Sequence, residues 1–284
     1  MRDAVRSLPA LRHTIAWHAL AARKGLGQHF LLDLNLTRRI VAQAGDLSGV
    51  NVFEIGPGPG GLTRALVESE ARKIIAIEKD ARCVAALSDL IDIAKGRLEV
   101  IEGDALTVDL ASLAPAPRAI VANLPYNVGT ALLLQWLGRM KDFESLTLMF
   151  QAEVADRLTA APDTKAYGRL SVITQFCCTA RRALAIPSRA FTPPPKVDSA
   201  VVVLTPRKDR PTDIALETLE KVTAAAFGQR RKMLRASLKS LGGETLLAQA
   251  GLDPSRRAET LSLVEFEALA RALKEARQNA GGKL

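Results

Sequence analysis

The sequence predicts an α/β fold, a mostly parallel sheet with helices on both faces, followed by a small all-α domain. Three observations carry that prediction. Short runs that are apolar throughout alternate with helical patterns, and strands lacking polar alternation are those covered on both sides. A glycine-rich turn follows the first such run and opens a helix. Beyond residue 205 the strand-like runs stop and only helical spacing remains.

The N-terminus, "MRDAVRSLPALRHTIAWHALAARKG", is basic with a single acid, Asp3, a composition shared with transit peptides. Leu8, Leu11, Ile15 and Leu20 nevertheless fall on one helical stripe, and no small-residue cleavage site stands out. A helical extension over 1–23, docked on the domain, is the reading adopted. The parallel strands are "NVFEI" (51–55), "KIIAI" (73–77), "LEVI" (98–101), "RAIVA" (118–122) and "LTLMF" (146–150). Val84, Leu87 and Ile91 show the three- and four-residue spacing of an intervening helix. "LSVITQF" (170–176) and "AVVVL" (200–204) have no clear long helix between them and read as an antiparallel edge pair. Cys177 and Cys178 would then alternate in a core strand.

"TPRKDRPTD" (205–213) reads as a Pro- and charge-rich linker, with a domain boundary near Pro206. Residues 1–205 form the larger domain and 206–284 the helical one. Ser262 followed by Glu265 is a capping-box pattern opening the last helix, with Phe266, Leu269 and Leu273 on its buried side. Residues 221–240 hold six basic residues and no acid. On a continuous helix Arg231, Arg235 and Lys239 form one basic stripe, while Leu234, Leu238 and Leu241 form a separate apolar one.

The chain has 284 residues, of which 48% are hydrophobic and 24% charged, which excludes a disordered protein. Its net charge of +9 and pI near 9.7 suit a polyanionic partner, nucleic acid or an anionic membrane surface. The longest uncharged window, Ala119 to Gly138, contains Asn123, Pro125, Asn127 and Gln135, which excludes a membrane-spanning helix. Three cysteines, Cys83, Cys177 and Cys178, give neither a disulfide framework nor a CxxC pair. A reducing, cytoplasmic setting and no metal are expected.

"FEIGPGPGGLTRAL" (53–66) joins the first strand to a helix, and its glycines permit a tight turn and close approach to a ligand. Gly56, Gly58 and Gly61 satisfy G-x-G-x-x-G, so a dinucleotide has to be weighed. Glu54 and the E-x-G-x-G-x-G alternation point instead to S-adenosylmethionine, whose zwitterionic end has no pyrophosphate. Glu78 ends the second strand, where a carboxylate can bind a ribose diol. Asp104, in "EGDAL", ends the third and can accept from an adenine amino group.

The fourth strand ends in "NLPY" at the same rim, where open α/β sheets bind ligands. An adenine N6 is a poor nucleophile because its lone pair is delocalised into the ring. The side-chain carbonyl of Asn123 and the backbone carbonyl of Leu124 can accept its two hydrogens and localise that pair. Pro125 fixes the turn, and Tyr126 offers a face for stacking, worth about 1–3 kcal/mol. No strong general base is required. A purely stacking Tyr126 would tolerate phenylalanine.

At these residues the chain resembles the bacterial small-subunit ribosomal RNA adenine dimethyltransferases, the KsgA/RsmA family. The resemblance rests on "KGLGQHFLLD" (24–33), "VFEIGPGPGGLT", "NLPYNVGT", "FTPPPKVDSAVVVL" (191–204) and "AAFGQRRKMLRASL" (225–238), in that order. It implies a Rossmann-like class I S-adenosylmethionine-dependent methyltransferase with a seven-stranded sheet and a helical RNA-binding domain. It implies N6,N6-dimethylation of two adjacent adenosines near the 3′ end of 16S rRNA, on a small-subunit precursor, by a monomer. Cofactor contacts carried over are His29, Leu31, Gly56, Glu78, Asp104 and Asn123. Phe191 would close the target base against Tyr126, and Arg230, Arg231, Lys232, Arg235 and Lys239 would bind RNA. Many members have asparagine at the position of His29. Alternatives are the large-subunit adenine methyltransferases of macrolide resistance and a non-catalytic assembly or transcription factor. Leu124, where DNA adenine methyltransferases usually have proline, disfavours that class.

Overall fold

A computed structural model describes residues 1–20, 28–229 and 231–281. The strands are β1 (Phe30–Leu31), β2 (Asn51–Ile55), β3 (Lys73–Glu78), β4 (Leu98–Glu102), β5 (Arg118–Asn123), β6 (Ser145–Gln151), β7 (Cys178–Ile186), β8 (Phe191–Thr192) and β9 (Ser199–Pro206). Seven of them form one sheet in the order β4-β3-β2-β5-β6-β9-β7. Neighbours from β4 through β6 are parallel, and β9 runs antiparallel to β6. The remaining two, β1 and β8, form a small antiparallel ribbon pairing Leu31 with Phe191.

The central strands are buried along their whole length because both sheet faces are covered. Val52, Phe53, Ile74, Ile75, Ile120 and Val121 are all fully buried. Helices are started by local chemistry. Asp33 accepts from the backbone N–H of Asn35 at 2.8 Å to cap Leu34–Val41, and Asp80 and Asp109 cap Ala81–Ala86 and Leu110–Leu113 in the same way. The strand order reverses beside β2, which has β3 on one flank and β5 on the other. Chains leaving β2 and β5 therefore diverge, and a crevice opens at their carboxyl ends.

By packing, the chain divides into two units, residues 1–155 with 181–206, and residues 156–180 with 207–284. One change of unit falls between Pro206 and Arg207, and residues 156–180 pack with the C-terminal helices. The reason is local. Residues 170–176, expected as a strand, lie within a helix, Arg169–Cys177. Its start is set by Gly168, whose N–H donates to Ser171 Oγ at 3.1 Å, while Ser171 donates to the carbonyl of Arg157. Ser171, Val172, Ile173, Thr174 and Phe176 are all buried, so this helix is buried on most sides and shows no clear helical period. Cys177 ends the helix and Cys178 begins β7, both buried, rather than alternating in one strand.

In the second unit, the rings of Phe227 and Phe266 stack at 5.5 Å and Tyr167 meets Phe227 edge-on at 6.1 Å. The Tyr167 hydroxyl donates to the carbonyl of Leu261 at 2.9 Å. Ser262 and Glu265 form the expected capping box, and Phe266, Leu269 and Leu273 are buried. The 205–213 segment is tied down: β9 continues to Pro206, and Arg207 pairs with Glu267 at 2.6 Å. The N-terminal extension docks as two short helices, Arg2–Arg6 and Leu11–Trp17, with Pro9 between them. Val5, Leu11 and Leu20 are buried, and residues 21–23 lie outside the described residues.

Candidate active site

The glycine loop is shaped from two sides. Gly58 sits at φ +55°, and its N–H donates to Glu78 Oε2 at 3.0 Å. A β-carbon on Gly61 would stand 2.3 Å from the carbonyl oxygen of Leu31. Part of the glycine pattern therefore serves the close approach of β1, whose residues roof the loop, and not only a ligand. Of the "KGLGQHFLLD" motif, residues 24–27 lie outside the described residues.

Three acids gather at the rim. Glu78 is buried, and its oxygens accept from the backbone N–H groups of Lys79 (2.8 Å), Asp80 (2.9 Å) and Gly58. Burial pushes its carboxyl up while those amides pull it down. Asp104 accepts from the N–H of Leu106 at 3.0 Å and from Lys79 Nζ at 2.8 Å, and the ammonium holds its carboxyl below the usual range. Lys79 is a partner that the sequence motifs did not single out. The third acid, Glu54, is 1% exposed, and burial pushes it up to about 8. Its Oε2 has no hydrogen-bond partner among the described residues, yet Glu54 lines the cavity. A lone acid inside the otherwise apolar "VFEI" was the sequence signal for it.

On the other flank, β5 delivers "NLPY". Asn123 donates through Nδ2 to the carbonyl of His29 at 3.2 Å, which leaves Oδ1 as the acceptor. The Pro125 carbonyl accepts from Val128 and Gly129, closing the turn into the helix Gly129–Gly138. Tyr126 is held at its hydroxyl by Ser199 Oγ at 2.5 Å. Its ring lies 5.5 Å from the His29 imidazole, tilted by 32°. His29 Nδ1 lies 2.8 Å from the carbonyl of Pro193, so that nitrogen donates. Phe191 is buried and meets His29 edge-on at 6.4 Å. The imidazole thus stands with Tyr126 on one side and Phe191 on another.

Glycine loop, acids and "NLPY" enclose one cavity of about 170 Å³. His29, Leu31, Gly56, Glu78, Asp104 and Asn123 all line it, as do Leu124, Pro125 and Tyr126; Phe191 does not.

Comparison with known proteins settles the lineage. Residues 19–275 match the ribosomal RNA adenine dimethylase family. The chain belongs to this family. Its relatives include the ribosomal RNA small subunit methyltransferase A of Rhodospirillum rubrum, 59% identical over 94% of this chain and 93% of that protein. The protein of the same name from Paramagnetospirillum magneticum is 60% identical over 94% of this chain and 95% of its own. Among solved structures, a dimethyladenosine transferase from Plasmodium falciparum superposes with a TM-score of 0.74 at 25% identity, covering 87% of this chain and 98% of that one. The 23S rRNA methyltransferase ErmE gives 0.67 at 27% identity, covering 86% and 99%. The fold is that of class I methyltransferases, as these neighbours and the sheet order show.

The basic segment lies in the second unit and departs from the continuous helix expected over 221–240. The helix Leu216–Phe227 ends at Gly228, and a short helix, Leu234–Ser237, follows. The N–H groups of Leu234 and Arg235 donate to the carbonyls of Arg256 and Pro254, at 2.7 and 3.1 Å, instead of to carbonyls one turn earlier. Arg231, Lys232, Arg235 and Lys239 are exposed, but they are not one helical stripe. Leu234 and Leu238 are buried, Leu241 partly so, and Arg230 lies outside the described residues.

Proposed function

We propose that this chain transfers methyl groups from S-adenosylmethionine to the N6 atoms of two adjacent adenosines near the 3′ end of 16S rRNA, giving N6,N6-dimethyladenosine. The observation that supports it best is the single cavity joining the glycine loop and acidic rim to Asn123-Leu124-Pro125-Tyr126, in a member of the rRNA adenine dimethylase family. The relatives at 59% and 60% identity are named for the small subunit, while the large-subunit enzyme ErmE is 27% identical, which favours the small-subunit substrate. The setting is a cytoplasmic small-subunit precursor, and the chain acts as a monomer. Among the described residues no helix is long and apolar enough to cross a membrane.

The cavity fits the cofactor. Glu54 offers an unpartnered buried oxygen to an ammonium, Glu78 retains acceptor capacity for a ribose diol, and Asp104 can accept from an adenine amino group. His29, Leu31 and Gly56 supply further wall, and Asn123 borders both halves. When bound, S-adenosylmethionine supplies an electrophilic methyl group. The protein's part is alignment: Asn123 Oδ1 and the Leu124 carbonyl accept the amino hydrogens of the target adenine and aim its lone pair. Pro125 holds that backbone in place and Tyr126 stacks on the base, with Phe191 behind His29 completing the aromatic wall. Arg230, Arg231, Lys232, Arg235 and Lys239 contact RNA phosphates and position the substrate.

Mass spectrometry of ribosomal RNA incubated with the protein and labelled S-adenosylmethionine tests this reading. Dimethyladenosine confined to small-subunit RNA is expected; label in large-subunit RNA, or none, would overturn it. Asn123→Ala should lower turnover at least about a hundredfold, the scale of losing a preorganised polar contact to the reacting atoms, with RNA affinity nearly intact in a filter-binding assay.

A further inference from the structure

We propose that Ser199 is a positioning residue for Tyr126, holding the plane of its ring at the target base through a bond between the two hydroxyls; this rests on the stacking role given to Tyr126 above. Tyr126 leaves β5 in a turn, and an aromatic ring there can rotate about two side-chain bonds unless its far end is held. That end is held by Ser199 Oγ, 2.5 Å from the phenol oxygen. Ser199 is fully buried and opens β9, where it pairs with Gln151 of β6. The corner before it is fixed as well. Asp198 accepts from the N–H of Ser188 at 2.8 Å, and its own carbonyl accepts from Ala152 at 2.9 Å. The anchor therefore moves only with the sheet.

Burial pushes the Tyr126 phenol up, so it stays protonated through the neutral range and keeps a proton for the pair. The segment "KVDSAVVVL" thereby acquires a function its sequence did not disclose: it places one hydroxyl under "NLPY". A fixed ring matters because stacking helps the reaction only when the base plane sets N6 in line with the methyl donor. A misplacement of about 1 Å costs on the order of a hundredfold in rate. Loss of the anchor alone, with the ring still present, is expected to cost less, about tenfold.

The test compares Ser199→Ala, Tyr126→Phe, their double variant and Tyr126→Ala on small-subunit RNA, well below the melting temperature of each. Ser199→Ala and Tyr126→Phe should each lower kcat about tenfold at saturating RNA, with cofactor affinity unchanged, and the double variant should be no slower than either. A purely structural serine would also slow the Tyr126→Phe background, so a further tenfold loss in the double variant overturns the proposal. Wild-type kcat in Ser199→Ala beside an inactive Tyr126→Ala overturns it too, while leaving stacking intact. Wild-type kcat in Tyr126→Ala overturns the stacking role itself, and the anchor with it.

Discussion

Glu54 shows how a single residue links fold and chemistry. It is the penultimate residue of a buried strand, burial pushes its carboxyl up to about 8, and its Oε2 has no partner among the described residues. An acid raised in the folded state stays protonated while the unfolded chain ionises. Its contribution therefore erodes stability as pH rises from the ordinary carboxylate range toward 8, and the loss is complete above that. Glu54→Gln keeps the shape and removes the titration, so thermal melts of the cofactor-free protein should lose part of their fall between about pH 5 and 8. The same change removes a carboxyl that the ammonium of S-adenosylmethionine would draw into its ionised form at the cavity wall, and affinity by calorimetry should drop about tenfold or more. Equal melting profiles for the two proteins would show that Glu54 does not titrate in this window. Glu78 has a second duty absent from its motif: its oxygens gather three backbone N–H groups, including that of the glycine loop.

At the level of elements, the parallel strands were legible because β2, β3, β5 and β6 are mainly apolar runs buried along nearly their whole length, and all five, the more exposed edge strand β4 included, occur where the runs lie. The capping box at Ser262 was legible because capping is local chemistry. Two elements were not. The run at 170–176 is a helix buried on most sides, so its β-branched residues mimic a strand; its defining bonds, from Gly168 to Ser171 and from Ser171 to Arg157, involve residues outside the run. Over 221–240 helical spacing was real, yet partners at Pro254 and Arg256 captured the backbone donors and broke the helix. Such long-range competition leaves no local trace. Among the site residues, the cavity gathered the glycine loop, the acids and "NLPY", because their motifs end consecutive strands; the bond from Ser199 to Tyr126 spans 73 residues and was invisible. The basic residues keep their proposed role without the stripe, presented from a turn and a short helix. Replacing Arg231 and Arg235 with glutamine should weaken RNA binding and lower its salt slope by roughly 0.7–0.9 log–log units per lost phosphate contact. Calorimetric cofactor affinity should not move, since both residues belong to the second unit and the cavity to the first. An unchanged salt slope would reduce them to solvated surface.

At the scale of the whole molecule, every cavity-lining residue comes from the first unit, while the basic segment comes from the second. The two proposed tasks, holding a small cofactor and gripping a polyanion, would thus rest on separately packed cores. Both tryptophans, Trp17 and Trp136, belong to the first unit, and Trp136 is buried there. Tryptophan fluorescence therefore follows the unit that contains the cavity. A ligand that binds only the folded state stabilises it by mass action, by about 2.7 kcal/mol at one hundred times its Kd. For a unit of this size each kcal/mol raises the midpoint by roughly 2–4 °C. S-adenosylmethionine at that concentration should then raise the fluorescence-detected midpoint by roughly 5–10 °C. Glu78→Ala should lower the ligand-free midpoint, because three backbone N–H groups lose their acceptor, and should also abolish most of the shift. A midpoint that S-adenosylmethionine leaves unmoved in the unaltered protein would remove the cofactor from this cavity, whatever the second unit does.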